Sequence, residues 1–361
     1  MSNSITIVIP NRNRDLRTVE RSLASIVPQL DSNHRLVVVD YGSHLSYQKE
    51  LQQLLQKFTT IELILCPTQG QLWNKSRCIN IVLKTCTTTH FMVSDMDMIW
   101  HAQFFKNQLD SFSLNESVYY TVGVMTEEES KLDEPFEKLA IKFQTNDEAT
   151  GITVFPTEHL KFINGFDEFY HGWGSEDTDA HMRLRHAGYG VRFRESEILF
   201  KHQWHAKTYR SKNSTAPFHP SLEQINHSYL SLSKTSKKIK ANENKSWGKA
   251  CDSAHYEQLA QPSLKMSKHA TGPDIKALFQ FMNDLPCSEI LEVSISTHPE
   301  FKALKTGVKK VIGKKTPDFM PLDEANRLLL ETIVMNHHNC AYRYNYDSST
   351  SEIHFSINLN R

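Results

Sequence analysis

A chain of 361 residues is long enough for one large domain or two ordinary ones around a buried core, which excludes a disulfide-held miniprotein. Lys plus Arg and Asp plus Glu both number 41, so no whole-chain field draws the protein to nucleic acid or anionic lipid, and any such attraction must be local. The 39% hydrophobic and 23% charged content is that of a globular protein, and apolar runs such as Ile79 and Ile81–Leu83 around Asn80 fall far short of the ~20 residues that span a bilayer. No Lys or Arg precedes the apolar Ile5–Pro10, so no cleaved leader is expected. The cysteines (Cys66, Cys78, Cys86, Cys251, Cys287 and Cys340) are scattered, with no C-x-x-C pair. That spacing suits reduced thiols and a cytoplasmic location.

In chain order, short apolar runs alternate with segments of helical period, which predicts an α/β fold with a mostly parallel sheet flanked by helices. Strands are expected at Ile5–Ile9, Leu36–Asp40, Ile61–Leu65, Phe91–Ser94 and Tyr119–Val124. Between the first two, Leu16, Val19, Leu23, Ile26, Val27 and Leu30 form one apolar stripe; Leu51, Leu54, Leu55 and Phe58 repeat the pattern in the next crossover. Further helices are expected at about Leu72–Lys84 and at Glu176–Ala187, the second opened by acids and stopped by Gly188. Ser231–Lys249 then holds six lysines, one acid and few apolar residues, and reads as a linker or exposed loop. Beyond it a helix at Asp274–Leu285, a strand at Glu289–Ser296, a helix at Leu322–His337 and a hairpin turning at Asp347–Thr350 form a small α+β region. The expected organisation is a first domain over 1–215, a Lys-rich linker or exposed loop over 216–250 and a small C-terminal α+β domain over 251–361.

The chemistry-bearing residues cluster at strand ends. Asp95 and Asp97 lie two apart just past the fourth strand. Period two lets both face one side and share a hard divalent cation with phosphate ligands, although a plain strand-to-loop turn carries the same residues. Trp173 lies between Gly172 and Gly174, followed by Glu176, Asp177 and Asp179. Helix capping accounts for the acids alone, but an indole on a Gly-rich loop beside them suits a lid on a sugar face with a carboxylate that takes a hydroxyl proton. His205, or else His202, offers an imidazole to a cation held by Asp97; Mn²⁺ accepts such a ligand. Pro10, Arg12 and Arg14 follow the first strand, where the two guanidiniums meet phosphate oxygens or remain simple surface charges. Asp40, at the end of the second strand, either accepts from a nucleobase or ribose or forms a turn. Neither G-x-G-x-x-G nor G-x-x-x-x-G-K-[ST] occurs, which argues against dinucleotide and P-loop readings.

These pieces in this order resemble the nucleotide-diphospho-sugar transferases of the GT-A fold, family 2-like, in the branch of the β-1,4-galactosyltransferases and bacterial chondroitin synthases. Pro10-Asn11-Arg12-Asn13-Arg14 is similar to their P-F-R-N-R uridine-phosphate segment, departing at Asn11. Trp73-Asn74-Lys75-Ser76-Arg77 with Asn80 resembles F-N-R-A-K…N, and Ser94-Asp95-Met96-Asp97 matches S-D-x-D. Trp173-Gly174-Ser175-Glu176-Asp177-Thr178-Asp179 resembles W-G-G-E-D-D-D, departing at Ser175 and Thr178. The resemblance covers roughly residues 3–210.

It implies an inverting transferase with Mn²⁺ or Mg²⁺, a UDP-sugar donor and a glycan or glycolipid acceptor. Asp97 is implied as metal ligand with His205 or His202 completing the shell, and Asp95 as holding the ribose or a water on the metal. Asn74 and Arg77 fall on the donor side. Asp177 is implied as general base, Glu176 as acceptor ligand, and Trp173 with Gly174 as lid and sugar platform. The competing readings are a metal-dependent sugar-nucleotide hydrolase or nucleotidyltransferase on a related sheet, or an inactive sugar- or nucleotide-binding module. The Lys-rich stretch adds an expected peripheral contact with an anionic membrane surface or an acidic glycan.

Overall fold

The computed structural model describes residues 3–360, apart from 59, 107–111, 148–150, 196, 207–219, 244, 287, 302, 304–311, 313–314 and 348–349. The chain divides into two compact units. The first comprises Met1–Cys66, Trp73–Lys207 and Ile225–Lys249; the second comprises Pro67–Leu72, Thr208–Gln224 and Ala250–Arg361.

The first unit begins with three strand-and-helix repeats: β1 (Ile5–Asn11), α1 (Leu16–Ile26), β2 (His34–Tyr41), α2 (Leu45–Leu55), β3 (Ile61–Cys66) and α3 (Lys75–Lys84). Then come β4 (His90–Val93), β5 (Met98–Trp100), β6 (Glu116–Tyr120), β7 (Gly123–Val124), α4 (Glu127–Ser130), β8 (Phe143–Gln144), β9 (Thr153–Pro156), α5 (Thr157–Phe162), α6 (Glu176–His186), β10 (Gly190–Arg194) and β11 (Phe200–His202). Seven strands make the central sheet in the order β10-β6-β9-β4-β1-β2-β3, all pairings parallel except those of β9. Every residue of β1 is buried, as a strand covered on both faces must be, and each Ile or Val there contributes about 1.5–3 kcal/mol by leaving water. A smaller sheet, β5-β11-β7-β8, packs on an aromatic cluster in which the Trp100 and Phe200 rings lie edge to face at 5.1 Å.

Three expectations differ from the observed chain. The strand predicted at Tyr119–Val124 is two strands in different sheets. Thr121 still donates its N–H to Arg194 O beside the central sheet, whereas the Met125 N–H goes to His202 O in the smaller one. The helix predicted from Leu72 starts at Lys75, because the Asn74 side chain caps it by accepting the Arg77 N–H at 2.8 Å.

Over Ile225–Lys249 the expected linker is part of the first unit. Its start lies in α7 (Pro220–Thr235). Beyond that helix the Ala241 N–H donates to Ile163 O at 3.0 Å, Asn242 Nδ2 to Phe166 O at 2.8 Å and the Gly248 N–H to Glu168 Oε1 at 2.7 Å, while the Lys238 ammonium lies 2.7 Å from Asp167. The segment is fixed by polar bonds more than apolar burial, so its composition does not reveal the packing. Residues 216–219 of that expected linker lie outside the described residues.

The second unit contains α8 (Ser253–Gln258), β12 (Leu264–His269), α9 (Gly272–Asp284), β13 (Ile290–Ser296), α10 (Leu322–Thr332), β14 (Ala341–Asp347) and β15 (Glu352–Asn358). Its sheet runs β12-β13-β15-β14, with β12 parallel to β13 across α9 and an antiparallel hairpin at the end. Leu291, Val293 and Ile295 alternate with half-exposed residues and meet Ile353, Phe355 and Ile357 on one buried face.

Candidate active site

β1 ends at Asn11 and β2 at Tyr41, so the turns after them stand where open α/β sheets hold ligands. In the first turn Pro10 is buried, Arg12 is half-buried and Asn13 adopts a left-handed φ of 47°, which Asn tolerates. Arg14 reaches Asp97, Nη2 to Oδ2 at 3.0 Å.

Asp40 is fully buried and accepts from Asn11 Nδ2 at 2.9 Å, Ser43 Oγ at 2.5 Å and Gln48 Nε2 at 2.8 Å. Its oxygens are committed to its own chain. Asp40 therefore ties the ends of β1 and β2 together.

Because β4 stops at Val93, the two acids of the S-D-x-D stretch lie in a turn and part from each other instead of sharing one side. Asp95 faces Lys75. Asp97, 2% exposed, faces both histidines: its Oδ1 lies 3.5 Å from His202 Nε2 and its Oδ2 3.3 Å from His205 Nε2. The smaller sheet causes this, since β11 sets His202 opposite Met98 and the Gln203 N–H donates to Asp97 O at 2.9 Å.

Ligand atoms of Asp97, His202 and His205 lie within 4.8 Å of one another, so the structure brings both candidate histidines together and leaves Asp95 out of the group. The buried Asp97 Oδ1 has no hydrogen-bond partner among the described residues, an orphan acceptor that a cation would satisfy. Burial pushes the Asp97 carboxyl up, but His202, His205 and the Arg14 guanidinium outweigh it and hold the group well below the usual carboxylate range. One carboxylate and two imidazoles fit Mn²⁺, which accepts mixed oxygen and nitrogen donors.

The start of α3 supplies the other half of the site. Asn74, fully buried, donates to Glu168 O at 2.9 Å, and the Arg77 guanidinium, 2% exposed, pairs with the Glu168 carboxylate at 2.9 Å. Both residues therefore anchor the helix start internally.

Lys75 between them carries the functional geometry that sequence reasoning missed. Its ammonium stands 3.0 Å from Asp95 Oδ1, 3.5 Å from Glu176 Oε1 and 3.2 Å from Asp177 Oδ2. Burial opposes its charge, yet Asp177, Asp95 and Glu176 outweigh that cost and raise it well above an ordinary lysine. Asp177 is pushed up to about 8, chiefly by burial and further by Glu176 and Asp95, with Lys75 opposing. A Cβ at Gly151 would sit 2.7 Å from Asp95 Oδ2 and 3.9 Å from Asp177 Oδ2, so only glycine leaves the space between these acids open. The one available signal for Lys75 was its place inside the matched helix start.

Trp173 is 47% exposed on a loop whose Gly172, Gly174 and Ser175 all have positive φ, at 76°, 94° and 78°. The loop is tethered. Asn226 on α7 donates to His171 O at 3.0 Å and Trp173 O at 3.1 Å, and the Gly172 N–H donates to Trp73 O at 2.8 Å. A shallow depression here is lined by Lys75, Tyr170, His171, Gly172, Trp173, Glu176 and Asn226. Asn226 lies beyond the stretch that carries motifs, and nothing in its local sequence marked it.

Residues 131–205 match the family described as the N-terminal domain of galactosyltransferase. Human β-1,4-galactosyltransferase 6 is 28% identical over 177 residues, which cover 49% of this chain and 41% of that protein. Pig β-1,4-galactosyltransferase 5 is 27% identical over 170 residues, covering 47% and 39% respectively, so the chain matches well under half the length of either relative. Among solved structures, that of GalNAc-T7 with UDP, GalNAc and Mn²⁺ superposes with a TM-score of 0.47 at 12% identity, covering 62% of this chain and 47% of that one. The family stretch contains Trp173, Glu176, Asp177, His202 and His205, and over it the chain is similar to the galactosyltransferases.

Proposed function

We propose that the first unit transfers a hexose or N-acetylhexosamine, Gal- or GalNAc-like, from a UDP-sugar to a hydroxyl of a glycan or glycolipid, with inversion at the anomeric carbon. One observation carries this reading: Asp95 and the Glu176–Asp177 pair, from distant stretches of chain, converge on the single ammonium of Lys75. Asp97, His202 and His205 would hold Mn²⁺, or Mg²⁺, which when bound offsets the negative charge growing on the departing diphosphate.

The chain's own residues then divide the work. Arg14, beside Asp97, offers a fixed guanidinium to phosphate oxygens. Asp177 takes the proton of the acceptor hydroxyl as its oxygen attacks the anomeric carbon from the face opposite the nucleotide. The new C–O bond forms as the old one breaks, its electron pair leaves with UDP, and an α-linked donor gives a β-glycoside. Glu176 accepts from the acceptor's hydroxyls, and the exposed Trp173 indole covers a sugar face. Lys75 keeps three neighbouring carboxylates from repelling one another while neither substrate is bound.

The experiment is a panel of UDP-sugars and glycan acceptors with Mn²⁺, reading UDP release and product. Asp177→Asn should abolish transfer while UDP binding stays near wild type; wild-type turnover in that variant removes the base assignment. Free hexose without an acceptor glycoside supports the hydrolase reading instead.

A further inference from the structure

We propose that a lysine-rich face of the first unit, built from the ends of α3 and α5 and the segment after α7, docks on an anionic lipid bilayer. The segment that reads as a linker in the sequence is folded onto those helix ends. The Lys161 ammonium donates to Cys86 O at 2.7 Å, joining the ends of α5 and α3. The Lys240 ammonium lies 5.0 Å from the centre of the Phe162 ring, and that of Lys84 lies 3.7 Å over Trp247. Lys84, Lys234, Lys237, Lys240, Lys245 and Lys249 are exposed, and none of the six forms an ion pair among the described residues. Lys238 differs, being spent on Asp167. In a chain of zero net charge this is a pronounced local excess, opposed within Ser231–Lys249 only by Glu243.

The apolar side chains choose the partner. Phe162 is 47% and Ile239 36% exposed among the lysines. A soluble polyanion offers such groups nothing, whereas the boundary between headgroups and acyl chains removes them from water while the ammonium groups stay among phosphates. The placement is compatible with turnover: α3 carries Lys75 at its first residue and Lys84 at its last, a rise of about 13.5 Å. The docking face therefore stands behind the site and leaves it accessible.

Co-sedimentation of the whole chain with vesicles tests this. Wild type should sediment with phosphatidylcholine–phosphatidylglycerol vesicles at roughly 0.05 M salt, release at roughly 0.5 M, and ignore pure phosphatidylcholine. Lys237→Glu, Lys240→Glu and Lys245→Glu together should weaken binding at least about tenfold. Phe162→Ser with Ile239→Ser should weaken it severalfold and keep the salt dependence. Equal binding to neutral vesicles, or wild-type binding by the charge variant, overturns the proposal. So does undiminished vesicle binding by the apolar variant together with tight heparin binding, which identifies a soluble polyanion as the partner. UDP release in solution, without vesicles, should be the same for all three proteins, so failure here is distinguishable from failure of the transferase reading.

Discussion

The ammonium of Lys75 stands 3.2 Å from Oδ2 of Asp177, so the group assigned to receive a proton rests against a permanent cation supplied by another helix. Removing that cation leaves Asp95, Glu176 and Asp177 close together with no compensating charge, which favours the protonated, inactive form of the base. Lys75→Met should lower kcat/KM by roughly 100-fold, whereas Lys75→Arg, which keeps the charge, should stay within about tenfold of wild type. Titration calorimetry with UDP and Mn²⁺ separates this from collapse of the site: affinity should change far less than turnover in both variants. Equal loss in the methionine and arginine variants would show that shape, and not charge, is what Lys75 provides.

Asp177 sits at about 8, and the sign of its pH dependence follows. A general base works only when ionised, so with Asp177 in the proposed role kcat/KM should rise about tenfold per pH unit up to that value and then level off. In Lys75→Met the rising limb should move to higher pH, a shift that a purely structural defect does not produce. Stability runs the other way. The folded carboxyl keeps a proton that the unfolded chain has lost, so its stabilising contribution is present at low pH and disappears as pH rises through about 8. Thermal melts should therefore show Asp177→Asn gaining on wild type between about pH 5 and about pH 9.

The Asp97–His202–His205 group makes a separate prediction about the cation. Asp97→Asn should weaken Mn²⁺ binding by at least about 100-fold, and His202→Ala and His205→Ala by roughly 10–100-fold each, measured by electron paramagnetic resonance of free Mn²⁺. Arg14→Ala should not weaken Mn²⁺ binding, because Arg14 competes for the same carboxylate, but it should weaken UDP binding. Saturating Mn²⁺ should raise the melting temperature of wild type and not of Asp97→Asn, a stabilisation of about 2.7 kcal/mol at a hundredfold excess over Kd. An unchanged Mn²⁺ affinity in either histidine variant removes that imidazole from the set.

Much of this was readable in the sequence, and the unreadable parts have physical reasons. The first three strands and two helices follow from apolar period, since buried faces enforce it. Asp97 and the two histidines were legible as residue types, but their grouping depends on β11 pairing with β5, a contact between distant stretches that no local pattern encodes. Asn74 and Arg77 match motif positions, Asp40 ends a strand, and all three are anchored internally: a buried donor or acceptor must be satisfied, and these have partners in their own chain. Lys75 was invisible as chemistry because a lone lysine at a helix start signals nothing until three carboxylates surround it. Ile225–Lys249 looked like a linker because hydrogen bonds to Ile163, Asn164, Phe166 and Glu168 leave no apolar trace.

Ser175 offers the last test, at the one position in the W-G-x-E-D stretch where a side chain stands in place of a glycine. Its φ of 78° is left-handed backbone, which costs a residue with a Cβ roughly 1 kcal/mol relative to glycine. Against that cost stands a contact from its hydroxyl to His227 Nδ1 at 3.3 Å, at the exposed rim and therefore worth less. Ser175→Gly should accordingly leave stability equal or raise it by up to about 1 kcal/mol, read from urea unfolding with an unchanged slope. The effect on turnover follows from the tether: Asn226 holds the His171 and Trp173 carbonyls whether or not Ser175 is present, so the loop keeps its place and the acceptor KM should change less than about threefold. Asn226→Ala should do the opposite, raising the acceptor KM more than it lowers kcat, because it frees the loop that carries Trp173 without touching Asp177. If Ser175→Gly raises KM as much as Asn226→Ala does, the serine contact and not the asparagine clamp fixes the indole.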